Sequence, residues 1–143
     1  MRTQPKHDAA RQLLLAAFLL GATAAWAGPA QLAAAHQAPI PAGVALKSWQ
    51  DNGADGRYLL QILEGKPLKA GQRIVGVVTS DTDCEADAQG LSHCHNIIKL
   101  ANGGQLTVID THNMHRNRCL GPGDQMTLTA AGKSWVIGTL IAK

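Results

Sequence analysis

The chain has 143 residues, of which 45% are hydrophobic and 3% aromatic, and its formal net charge is +3. That length suits one domain with a modest core. Few aromatic residues and no basic stripe argue against a nucleic-acid partner.

The first residues, MRTQPKHDAARQ, carry Arg2, Lys6 and Arg11 against Asp8, and an apolar run follows from Leu13 to Ala27. It ends in Ala25-Trp26-Ala27. A basic start, a short apolar stretch and a small-x-small end describe a secretory signal peptide over 1–27. The run of about 15 residues is short of the roughly 20 a spanning helix needs. No later run is longer, so no membrane span is expected after cleavage. An Ala-rich leader of this kind points to a bacterial protein, periplasmic or secreted. Cleavage removes three basic residues and one acid, so the net charge drops from +3 to about +1.

Residues 28–43, GPAQLAAAHQAPIPAG, are rich in Ala and Pro and hold no charge. They read as a flexible lead-in to a single globular domain over 44–143. Asn52-Gly53 and Asp55-Gly56 mark turns. In RYLLQILEG, 57–65, Tyr58, Leu59, Ile62 and Leu63 fall at helical spacing, and Gly65 and Pro67 end the run. This predicts one short helix.

From Gly71 the pattern becomes that of strands. QRIVGVVTS (72–80), HNIIKLA (95–101), QLTVIDT (105–111), DQMTLTA (124–130) and SWVIGTLIA (134–142) are apolar or alternating runs bounded by turn residues. Asn102-Gly103-Gly104 closes one hairpin and Ala131-Gly132-Lys133 another. The irregular insert HNMHRNRCLGPG (112–123) separates the two hairpins. The fold class is therefore mainly β: five strands over 71–142 that close on themselves to bury their apolar faces. A strand, a hairpin, an insert and a second hairpin, with LGPGDQMTL (120–128) leading into the fourth strand, resemble the OB-fold. The resemblance is architectural and implies a closed or partly open barrel; an SH3-like barrel is the alternative. Gly76 and Gly138 fit the tight bends of such a barrel.

Cys84, Cys94 and Cys119 are the three cysteines. In an exported chain two of them are expected to pair, leaving the third over. Cys84–Cys94 would close the loop CEADAQGLSHC between the first two strands. Cys84–Cys119 and Cys94–Cys119 remain open from sequence.

Histidines gather in two patches, His93 with His95 and His112 with His115, and Met114 lies inside the second. Imidazole and sulfur suit copper and zinc. Residues two apart on a strand share a face, so His93 and His95 are expected to point together while Cys94 turns the other way. A hairpin turning at 102–104 would pair position 95 near 111 and bring the patches together. The expected ligand set is His93, His95, His112, His115 and Met114. Copper leads zinc, because Met114 is present and the compartment is oxidising. Asp81, Asp83, Glu85 and Asp87 read as a solvated acidic loop, with carboxylate partners for the imidazoles as the alternative.

Position 91 is Leu, so no C-x-x-C-H haem attachment exists, and neither G-x-S-x-G nor H-E-x-x-H occurs. No nucleotide motif is present. The functional expectation is a non-catalytic metal-binding barrel. The alternative is a disulfide-stapled module for an envelope protein, peptide or glycan partner. A secreted hydrolase using Asp110, His112, Arg116 and Arg118 is third.

Overall fold

The computed structural model describes residues 38–141. The expected signal peptide over 1–27 and most of the Ala/Pro-rich lead-in lie outside the described residues. Six strands form one closed antiparallel barrel: β1 (Arg57–Glu64), β2 (Arg73–Thr82), β3 (Ser92–Leu100), β4 (Gln105–His112), β5 (Gln125–Ala130) and β6 (Trp135–Leu140). Their order around the barrel is β1-β4-β3-β2-β5-β6, and β6 pairs back onto β1. Among the described residues no helix is long and apolar enough to cross a membrane.

The five expected strands are β2 to β6. The expected helix over 57–65 is instead β1, the sixth strand, hydrogen-bonded to β4 on one side and β6 on the other. Its composition misleads because both of its faces are covered. Tyr58 and Leu60 join the barrel core. Leu59 packs outside with Trp49 and Leu91 in a second cluster, where Trp49 and Trp135 stack at 5.8 Å. A strand apolar on both faces loses its alternation, and its residues then mimic helical spacing.

The lead-in also packs at its end. Ala38 O accepts a hydrogen bond from Trp49 Nε1 at 3.1 Å, and Ile40 and Val44 lie against the second cluster. Two short 3-10 turns, Trp49–Asp51 and Ala54–Gly56, then carry the chain into β1.

Inside, the barrel is filled by Leu60, Val78, Ile98, Leu106, Val108, Met126, Leu128 and Val136, all fully buried. Gly76 and Gly138 are strand residues for want of space. A methyl group at Gly138 would lie 2.7 Å from Met126 Sδ, and one at Gly76 would lie 2.6 Å from Ile98 Cγ2. The core is not apolar throughout. Along β3 the inward residues run from Leu100 and Ile98 to Asn96, Cys94 and Ser92. Along β4 they run from Leu106 and Val108 to Asp110 and His112. One end of the barrel interior is therefore hydrocarbon and the other is polar.

Candidate functional site

The polar end is assembled from four directions. Cys94 and Asp110 face each other across β3 and β4, with Ser92 opposite His112 one pair further on. Asp81 arrives from β2 because of a bulge. The register shifts between Val78 and Ser80, so inward Val78 is followed by Asp81, opposite inward Asn96. A bulge inserts one unpaired residue and so inverts the in–out alternation beyond it. Asn96 Nδ2 donates to Asp81 Oδ1 at 2.9 Å and to Ser80 O at 3.2 Å.

Cys84 follows β2 directly and forms a disulfide with Cys94, stapling the 83–91 loop to β3. Cys119 comes from the insert and is the free cysteine among the described residues. Tyr58 OH donates to Arg118 O at 2.7 Å, Arg118 grips Asp124 through two contacts of 2.7 and 3.1 Å, and Leu120 is buried in the core. These contacts hold Cys119 over the barrel end. One ligand atom each from Asp81, Cys84, Cys94 and Cys119 all lie within 4.8 Å of one another.

Beside Cys94 sits Asp110, and His112 follows it on the inward face of β4; both are fully buried. His112 Nδ1 is 3.1 Å from Asp110 Oδ2, an ion-pair distance without the alignment of a hydrogen bond, and His112 Nε2 has no hydrogen-bond partner among the described residues. Burial works against the imidazolium, but the Asp110 carboxylate outweighs it and raises the His112 pKa above the ordinary histidine value. Burial raises the Asp110 pKa, with His112 opposing. Burial likewise raises Asp81, against the Asn96 hydrogen bond and the His112 charge. The Cys119 thiol is raised by burial and by Asp81 and Asp110. Tyr58 is pushed to about 12 by burial and by Asp110. The Asp110 charge reaches His112, Tyr58 and Cys119, and the Asp81 charge reaches Asp110, His112 and Cys119, so these two carboxylates link the groups of the polar end.

The structure places the five expected metal ligands differently. His93 and His95 do point together out of the barrel, with Cys94 inward. Position 95 pairs with Ile109, two residues short of the expected partner. His93 is already engaged at both nitrogens, with Nδ1 3.0 Å from Thr111 Oγ1 and Nε2 2.9 Å from Asp87 Oδ2. Asp87 Oδ1 in turn accepts from Gln89 N and Leu91 N. Burial opposes ionisation of Asp87, but these hydrogen bonds outweigh it and lower its pKa. This hydroxyl–imidazole–carboxylate chain ties the loop down. His95 Nδ1 lies 3.2 Å from exposed Asp83. His112 faces the interior, while Met114 and His115 are exposed in the insert. The wall of the barrel thus separates His112 from His93 and His95.

Of the other expected groups, Arg116 pairs with Asp51 on the surface at 3.2 Å, away from buried Asp110. Asp81 and Asp87 of the acidic loop are structural partners rather than solvated charges, whereas Asp83 is exposed. Sequence reasoning missed Asp81 and the contribution of all three cysteines to one cluster. Comparison of the chain with protein-family models, with curated proteins and with solved structures finds no match.

Proposed function

We propose that this is an exported, non-catalytic barrel that binds a soft transition-metal ion when its disulfide is reduced. The ligands are Cys84, Cys94 and Cys119, with Asp81 beside them, and copper(I) is preferred to zinc. The observation that supports this is the convergence of those four ligand atoms within 4.8 Å at the polar barrel end. Thiolates select copper(I) and zinc among biological metals. Sulfurs around a tetrahedral zinc with Zn–S of about 2.3 Å stand about 3.8 Å apart, so the Cys84 and Cys94 sulfurs, bonded in the disulfide, must part on reduction while the more distant atoms draw in. Three sulfurs alone complete a trigonal copper(I) site, and Asp81 is already held by Asn96. The histidines and Met114 leave the ligand set, because the barrel wall divides them and His93 is saturated. The OB likeness belongs to the same reading. Strands β4-β3-β2-β5-β6 form a meander joined to a hairpin through long β2, with β1 filling the seam between β4 and β6.

Reduction of Cys84–Cys94 takes two electrons and two protons from a dithiol, and the ion then displaces thiol protons. Titration of the full chain with copper(I) and zinc, before and after reduction, tests the reading. The reduced chain is expected to hold copper(I) more tightly than about 10 μM, or about −7 kcal/mol. Cys119→Ser should weaken binding at least about tenfold, the loss of one charged ligand being worth more than 1.4 kcal/mol. Binding that ignores reduction, or that ignores Cys119→Ser, overturns it.

A further inference from the structure

We propose that Cys119 is an internal nucleophile for the Cys84–Cys94 disulfide, so that the bond migrates to Cys94–Cys119 and releases Cys84. The free sulfur lies within 4.8 Å of both bonded sulfurs. Exchange between thiol and disulfide proceeds by attack of a thiolate on one sulfur and expulsion of the other; its rate depends on access and on the acidity of both thiols, and its end point on which thiol is better stabilised.

The two possible leaving sulfurs differ. Cys94 is fully buried beside Asp110, whereas Cys84 is partly exposed. Cys84 Sγ also lies 3.2 Å from Asp81 Oδ1 and 3.6 Å from Thr82 O. A disulfide sulfur has no proton to give those two acceptors; a Cys84 thiol does. The surroundings of Cys84 are thus furnished for the thiol form that exchange creates. Once Cys84 is a thiol it donates to these acceptors, so at equilibrium the contacts favour the Cys94–Cys119 bond over Cys84–Cys119.

The step balances without an outside oxidant. Cys119 gives its proton to solvent and its sulfur bonds Cys94 Sγ. The Cys84–Cys94 bond breaks, its electron pair leaves on Cys84, and Cys84 takes up a proton. There is one disulfide before and one after. The consequence is mechanical: the 83–91 loop loses its staple, the insert is tied to β3, and a partly exposed thiol appears at Cys84. That thiol, as its thiolate, is placed to attack a small-molecule or protein disulfide, forming a mixed disulfide while the partner's other sulfur leaves as a thiol. The inference needs no metal ion and stands apart from the metal reading.

The full chain, kept with a chelator throughout, is equilibrated in a reduced and oxidised glutathione buffer, quenched in acid, alkylated under denaturing conditions and digested with trypsin. No Lys or Arg lies between Arg73 and Lys99, so Cys84 and Cys94 share one peptide, and Cys119 begins another after Arg118. The expected result is a cross-linked pair of peptides carrying alkylated Cys84, in at least about one molecule in ten, the share of a state tenfold less stable. In Cys84→Ser the same buffer should yield the Cys94–Cys119 bond. Alkylation confined to Cys119 in the wild type, or two free thiols in Cys84→Ser, overturns the inference. Either failure leaves the copper titration unaffected.

Discussion

Replacing Asn52 by alanine should destabilise the barrel by at least about 3 kcal/mol, because three buried backbone groups are left unpaired at about 1–3 kcal/mol each. Asn52 is 1% exposed. Its Nδ2 donates to Thr111 O at 2.8 Å and Leu59 O at 3.0 Å, and approaches Asp110 Oδ1 at 3.4 Å. Its Oδ1 accepts from Leu59 N at 2.7 Å. The β1–β4 ladder begins at Leu60 and Asp110. Beyond that pair the strands part, and the Asn52 amide fills the gap as if it were one more peptide unit. Leu59 and Thr111 are buried there. Asn52→Asp keeps the acceptor but loses both donors and sets a carboxylate against Asp110, so it should do no better than alanine. Urea unfolding of the disulfide-intact chain measures both; a loss below about 1 kcal/mol for Asn52→Ala, the net worth of a single ordinary hydrogen bond, contradicts this role.

Asp110→Ala is the second large effect, about 3–5 kcal/mol, because removing one partner strands the other inside the barrel. It should also change how stability responds to pH. In the wild type the folded His112 pKa is raised, so the stability it contributes is complete below about 6.5 and is lost as pH rises through the folded value. Asp110, also raised, acts with the same sign. The groups whose charges reach His112 are Asp110 and Asp81, and the Tyr58 ring stands edge-on at 6.3 Å. Without Asp110, burial dominates and lowers the His112 pKa. The variant should then gain stability as pH rises from about 5 to 7, where the unfolded chain binds the proton and the fold does not. Each slope is bounded by one proton, about 1.4 kcal/mol per pH unit. Urea midpoints across pH 5 to 9 separate the cases; parallel curves for the two proteins would show that Asp110 does not hold the His112 proton.

Much of the barrel is legible in the residues themselves. Strands β2 to β6 carry β-branched or alternating runs, and Asn102-Gly103-Gly104 closes its hairpin where the composition says it should. β1 is not legible, because Leu59 is covered by Trp49 and Leu91, residues distant in sequence that no local pattern reveals. The histidine cluster fails on parity. Antiparallel partners share a face, and any register pairing 95 with an odd-numbered residue sets His112 on the side of Cys94 rather than of His93 and His95. The polar barrel end is written into alternate positions, Ser92-Cys94-Asn96 and Asp110-His112. The inward turn of Asp81 is not, since it depends on the β2 bulge, and the place of Cys119 depends on contacts of Tyr58 and Asp124 that close only in the fold.

The bond between this fold and its proposed use is the sulfur group over the polar end. X-ray absorption at the copper edge of the reduced, copper(I)-loaded chain reads the ligands directly. The account predicts a shell of three sulfurs that shrinks when Cys119 is replaced by serine. A nitrogen shell with the outer scattering of imidazole would contradict it and return the ion to the histidines on the barrel's outer face.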